Sequence, residues 1–159
     1  MKKRVELSWY TIIISSVMIA LMVWVFFYSL DLHGPRWSIV MWGALAVSLC
    51  FAALVYMPLS LEVNDRELLI RRPLKIKSIP LSQIADIRPC APTMAARKIF
   101  ASNGWFGYYG WFSEADLGRY FAYYGKSSDG MLVTLKSGRK YLLGCKDAPQ
   151  MLEAIKERL

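Results

Sequence analysis

Residues 102–112 read Ser102-Asn103-Gly104-Trp105-Phe106-Gly107-Tyr108-Tyr109-Gly110-Trp111-Phe112, three successive glycine-aromatic-aromatic triplets. A half-buried strand alternates apolar and polar residues on a period of two, whereas this segment repeats on three. Two readings are open. In one, Gly104, Gly107 and Gly110 let the backbone bend or take positive φ while most of the rings pack inside a β domain and a minority stay exposed. In the other, Trp105, Phe106, Tyr108, Tyr109 and Trp111 form a hairpin tip that enters a bilayer interface or grips a partner peptide, because aromatic rings dominate interfacial anchoring and protein hot spots.

A bilayer is relevant because of what lies upstream. Of 159 residues, 55% are hydrophobic, and neither 9–30 nor 37–61 contains a charged residue. At about 1.5 Å per residue, the first run makes a helix of roughly 33 Å, enough for a hydrocarbon core of about 30 Å. Two membrane-spanning helices are expected, at about 9–30 and 37–58. A secretory signal is the alternative for the first, with Met1-Lys2-Lys3-Arg4 as its basic start. However, the apolar run is longer than the usual stretch of about 7–15 residues, and Phe27-Tyr28-Ser29-Leu30-Asp31 lacks small-x-small cleavage chemistry, so a retained anchor is expected. Lys2, Lys3 and Arg4 precede the first span and Arg66, Arg71, Arg72, Lys75 and Lys77 follow the second. The loop Asp31-Leu32-His33-Gly34-Pro35-Arg36 carries one Arg. The positive-inside rule then gives a multi-pass protein of the cell membrane with both termini cytoplasmic. Trp9, Tyr10, Tyr28, Trp37 and Tyr56 fall near the span ends, where amphipathic rings favour the headgroup layer.

The division expected is a transmembrane hairpin over 1–58 and a cytoplasmic domain over 59–159. From residue 60 onward there are 16 Lys plus Arg against 10 Asp plus Glu. Short period-two runs recur at 61–63, 67–72, 74–79, 84–88, 119–124, 131–136 and 139–145, about seven strands. Turn chemistry separates several of them, at Asn64-Asp65, Ser128-Asp129-Gly130 and Ser137-Gly138. In Leu74-Lys75-Ile76-Lys77, the parity puts Leu74 and Ile76 on one face and Lys75 and Lys77 on the other. The period changes at the end, where Met151, Leu152, Ile155 and Leu159 share a helical face. Asp147 is placed to cap that helix with Gln150 three residues on, Pro149 suits its first turn, and Arg158 suits its C-terminal dipole.

Strands followed by a C-terminal amphipathic helix are the order of pleckstrin-homology domains. Arg97-Lys98-Ile99-Phe100, the glycine-aromatic segment from Gly104 to Phe112, Leu117-Gly118-Arg119-Tyr120 and Leu132-Val133-Thr134-Leu135 resemble the bacterial pleckstrin-homology-like family, often tethered to membrane helices. The resemblance covers about 59–159. It implies a PH-like bent antiparallel barrel of about seven strands capped by the helix, and it brings no established ligand and no lysine-arginine phosphoinositide signature.

Catalytic chemistry is sparse. The one histidine, His33, is in the loop between the spans, so no Ser-His or Cys-His pair can form in the domain. Glu114 and Asp116 could hold a hard cation, but solvated carboxylates are the simpler reading against a requirement for six or more oxygens. The glycines read G-x-x-G-x-x-G with no Walker lysine, which argues against a nucleotide loop. Cys50, Cys90 and Cys145 are odd in number and widely spaced, which suggests reduced thiols rather than disulfides or zinc ligands. No cofactor and no metal are expected.

The function expected is a membrane-anchored, non-enzymatic module that binds a protein partner or anionic lipid at the cytoplasmic membrane surface. The candidate site is Arg71, Arg72, Lys75 and Lys77 with Trp105, Phe106, Tyr108, Tyr109 and Trp111. For the cations the competing reading is topology determination plus a solvated sheet face. The alternative function is a structural accessory subunit of a membrane transporter or enzyme. It would assemble through the small residues Gly43, Ala44, Ala46, Ser48, Ala52 and Ala53, which also suit a homo-oligomer. The rings are bunched rather than interleaved with cations, which argues against nucleic acid.

Overall fold

The computed structural model describes residues 1–31, 36–93 and 96–159; the expected loop with His33 lies outside the described residues. Two long helices come first, α1 (Trp9–Asp31) and α2 (Arg36–Tyr56), packed on each other. Both are long and apolar enough to cross a membrane. Their burial is the reverse of a soluble helix: Thr11, Ser15 and Ser29 of α1 are buried, while Ile13, Val17, Trp24, Phe27, Val40, Val47 and Phe51 face outward. Water would penalise that much outward apolar area at about 25 cal/mol per Å², whereas hydrocarbon would not.

Residues ahead of α1 do not trail as a basic tag. Strand β1 (Lys2–Arg4) pairs antiparallel with β2 (Ser60–Val63), Lys3 opposite Leu61, and the amino terminus donates to Val63 O at 2.8 Å. Val5 N donates to Leu59 O, Ser8 N to Gly125 O, and Lys146 N to Arg4 O. The first eight residues therefore run along the domain and tie its two sheets together. Side-chain pairs add to this, Lys3 Nζ with Asp147 at 2.8 Å and Lys146 Nζ with Glu6 at 3.1 Å.

Beyond the helices follow β3 (Glu67–Arg71), β4 (Ile76–Pro80), β5 (Ile84–Pro89), β6 (Arg97–Asn103), β7 (Tyr108–Glu114), β8 (Gly118–Tyr124), β9 (Gly130–Leu135), β10 (Lys140–Gly144) and the helix α3 (Ala148–Lys156). They form a four-stranded sheet ordered β1-β2-β3-β4 and a six-stranded sheet ordered β5-β9-β10-β8-β7-β6. Pairing is antiparallel throughout except between β8 and β10, which run parallel. The seven strands expected are all present. The three additions are β1 and the β6–β7 hairpin, the latter built from the glycine-aromatic segment and the residues before it.

The main core fills the space between the sheets and under α3, with Leu61, Leu68, Ile70, Met131, Leu143, Met151 and Ile155 at its centre. A second cluster on the other face of the larger sheet contains Phe112, Tyr120, Ala122, Leu132 and Leu142. The expected helical face holds for Met151, Leu152 and Ile155, but Leu159 lies past the end of α3 and is exposed. The expected cap does not form: Asp147 sits at φ 55° and its side chain makes no cap bond. Its carboxylate and the Gln150 amide oxygen both accept from Lys3 Nζ, a partner supplied by the N-terminal strand. Arg158 donates to Ala154 O at 2.6 Å, as a C-terminal cation should.

Candidate functional site

The turn joining β3 to β4 is closed by Arg72 N donating to Lys75 O, and Leu74 N donates to Leu54 O in the last turns of α2. That bond sets the turn at the domain-proximal end of α2, beside β1. Lys2, Arg4, Arg71, Arg72 and Lys75 consequently line one cleft of about 730 Å³, together with Leu74 and Ile76. Of the expected cations, Arg71, Arg72 and Lys75 converge there and Lys77 does not. Lys2 and Arg4 were read in the sequence only as topology signals. Three residues of β1 are too short for a periodic pattern, and their partner strand lies beyond both helices.

The parity expected around Lys77 is inverted. Lys77 stands opposite Ile70, which is fully buried, and its ammonium lies 4.5 Å from the Tyr141 ring centroid and 6.0 Å from that of Phe121. Leu74 and Ile76 are instead exposed, by 55% and 56%, on the cleft side. Ile79 has the opposite parity to both, and its burial against the core decides which face is inward. An aliphatic stem laid along the core with its charge over rings explains how Lys77 tolerates that face.

Within the cleft Arg71 Nε bonds Glu62 Oε2 at 2.6 Å and holds that carboxyl below the usual carboxylate range. The Arg72 guanidinium lies 5.7 Å from the Tyr123 ring centroid, and its Nη1 donates to the Tyr123 hydroxyl at 3.4 Å. Burial pushes the Tyr123 hydroxyl up to about 12 although Arg72 opposes the shift. Arg72 Nε is buried without an acceptor among the described residues.

The glycine-aromatic segment forms the end of β6, a tight tip and all of β7 up to Phe112. Its tip is docked on the helices. Ser15 Oγ donates to Gly104 O at 3.0 Å and accepts from Phe106 N at 2.9 Å, while Trp105 Nε1 donates to Leu49 O at 3.1 Å. Tyr109 stacks on Tyr56 of α2 with centroids 6.1 Å apart, and Tyr108 stacks on Tyr124 at 4.7 Å. Trp111 meets Phe121 edge-on at 5.2 Å and stays 42% exposed. The glycines supply positive φ, most necessarily at Gly110, φ 122°, where a Cβ would run into the Phe100 carbonyl and Ala101. The glycines therefore serve the backbone as the first reading expects, with some rings inside and others outside. Tyr109 and Phe112 are buried, Trp105 and Phe106 form a tip against helices, and Trp111 faces outward.

Glu114 accepts from the Tyr120 hydroxyl at 2.6 Å while Asp116 is exposed, and no metal-holding cluster of His, Cys, Asp and Glu occurs among the described residues. Cys145 is buried and its thiol is pushed up to about 12, chiefly by desolvation.

A family model, the bacterial PH domain, matches residues 59–159, more than half of the chain. No curated protein and no solved structure matches the chain. A β-rich fold closed by a C-terminal helix agrees with that match, and the chain belongs to the bacterial PH domain family, its domain joined to two long apolar helices.

Proposed function

We propose that this protein crosses the cell membrane twice, keeps both termini in the cytoplasm, and holds its PH domain against the bilayer as a non-enzymatic module that recognises anionic lipid headgroups. Pairing of β1 with β2 supports the topology, because strands from before the first helix and after the second can meet only on one side. The cation distribution favours the cytoplasmic side. The observation that carries the lipid reading is the convergence of Lys2, Arg4, Arg71, Arg72 and Lys75 on one cleft at the end of α2, beside exposed Leu74 and Ile76. Each cation near an anionic leaflet contributes about 1 kcal/mol, so an aligned set is a strong docking element.

The test is lysine footprinting of the full-length protein in nanodiscs with a soluble acylating reagent. Lys2 and Lys75 are expected to be protected in anionic discs, to lose protection as salt rises, and to react freely in neutral discs. Equal reactivity in both kinds of disc would count against headgroup recognition and redirect the search to a protein partner. A second reading, a structural subunit assembled through its helices, draws on Gly43, whose missing side chain faces open space, and on the outward Ala44 and Ser48. It predicts that Gly43→Leu disrupts a crosslinked complex that Lys75→Glu leaves intact.

A further inference from the structure

Between the docked hairpin and the helices lies a second, apolar groove of about 760 Å³, within the range of roughly 300–1,000 Å³ usual for ligand pockets. Ile14 and Met18 of α1 and Leu49 and Ala52 of α2 form one side, and Trp105 and Trp111 of the hairpin form the other. At a rise of 1.5 Å per residue, Met18 lies about 13 Å along α1 from its start and Leu49 about 10 Å from the end of α2. Given the spanning reading proposed above, on which this inference rests, the floor of the groove is at hydrocarbon depth.

Three polar side chains at that depth already have protein partners. Ser15 and Trp105 make the bonds described above, and Ser102 Oγ donates to Trp105 O at 3.1 Å within the hairpin tip. Water entering the floor would find few partners, and a buried water needs two to four. Hydrocarbon is the occupant that such a surface favours.

At the other end, Phe121 closes the wall, with the Lys77 ammonium 6.0 Å from its centroid. Lys77 has no ion-pair partner among the described residues. Phe100, 84% exposed, stands at the rim on the edge strand β6, where a bare ring is costly in water and suited to an acyl environment. A partner helix fits less well, because helix interfaces in membranes rely on small residues that let backbones approach, and here bulky indoles hold the walls apart.

We infer that this groove takes one acyl chain of an anionic membrane lipid, with the lipid's charged group paired to Lys77. It is a site for a single lipid molecule, separate from the cleft at Lys2, Arg4 and Lys75 that meets the leaflet surface.

The test uses the full-length protein in nanodiscs doped with an anionic lipid carrying a diazirine in mid-chain, and a neutral-headgroup lipid with the same chain. After irradiation, peptide mass spectrometry locates the label. The anionic probe is expected to label the hairpin at Phe100 and Trp111 in addition to the outward faces of α1 and α2. Ala52→Phe, which fills the floor from α2, and Met18→Trp, which fills it from α1, should each lower hairpin labelling several-fold while Val40 is labelled as before. Lys77→Gln should reduce hairpin labelling by the anionic probe to that of the neutral one. Absence of hairpin label, labelling indifferent to both filling variants, or hairpin crosslinks to a second copy would overturn the groove assignment. Absence of label on α1 and α2 themselves would instead overturn the spanning reading. Lysine protection in the cleft is expected to survive Ala52→Phe, so failure of the groove and failure of headgroup docking are read separately.

Discussion

The Ser15 hydroxyl, less than two turns into α1, donates to the Gly104 carbonyl at 3.0 Å while accepting from the Phe106 N–H at 2.9 Å. One small polar side chain thereby pairs both a carbonyl and an N–H of a turn seated against two long apolar helices. Ser15→Ala leaves a buried carbonyl and a part-buried N–H unpaired, at a cost of about 1–3 kcal/mol. Faster hydrogen exchange is expected over 104–107, with β9 and β10 unaffected. Unchanged exchange at the tip would show that the hairpin is held by its rings alone.

Gly110 tests the backbone account of the glycine triplets. At φ 122°, with Phe100 O and Ala101 in the place of a side chain, an L-residue must distort the β6–β7 pair. Gly110→Ala should destabilise the fold by roughly 1–3 kcal/mol. Gly118→Ala, also at positive φ but facing open space, should cost less. Thermal unfolding in detergent that ranks the two alike would contradict this.

The N-terminal strand should be sensitive to acid. Asp147 is held below the usual carboxylate range first by its hydrogen bond from Lys3, and Glu62 first by its bond from Arg71, with desolvation opposing in both. A folded-state pKa below the unfolded one means that the folded protein binds fewer protons. The stabilisation is then present above the ordinary carboxylate range and is lost as pH falls through the lowered values. Asp147 is exposed and Glu62 only part-buried, and both keep contact with solvent, so the expected effect is local fraying of 1–8 rather than global unfolding. Exchange of these residues, corrected for intrinsic rate, should rise on acidification, and Lys3→Ala should blunt that rise. A flat profile in the unmodified protein would remove Asp147 as an anchor.

Thiol reactivity separates the cysteines. Burial raises both Cys145, to about 12, and half-buried Cys90. Since the thiolate is the nucleophile, Cys145 should resist a soluble maleimide at neutral pH until the domain unfolds, and Cys90 should react slowly. Fast labelling of Cys145 in the folded protein would mean that the core around it opens readily.

Seven strands and α3 were legible because turn chemistry separates several of them, Ser137-Gly138 before β10 for example, and β3 alternates as a half-buried strand should. Strands β9 and β10 are instead buried almost throughout, because both faces of the larger sheet carry apolar clusters. Strands β6 and β7 were not, although a hairpin tip was one of the two readings, because Gly110 interrupts the alternation of β7 and the rings of Trp105 and Tyr109 answer to Leu49 and Tyr56 of α2. Asp147 illustrates the same limit: its spacing to Gln150 suits a capping box, but a cation far away in the chain claims both side chains.

For the candidate site, the cations Arg71, Arg72 and Lys75 could be named from the sequence, but the cleft could not, because its other wall is β1. The face of Lys77 was not legible because alternation fixes which residues share a face and leaves open which face is inward, a choice made by Ile79 and Ile70 through burial. By itself the sequence determined two apolar helices and a basic domain of strands closed by a helix, since each follows from local composition and period, while the family came from a resemblance of motifs that the match over 59–159 bears out. Tertiary structure alone decided that the first eight residues complete the domain, that the glycine-aromatic tip is latched to Ser15 and Leu49, and that a cationic cleft and an apolar groove lie at the helix ends. Those features depend on contacts between residues more than fifty positions apart, and no local pattern encodes them.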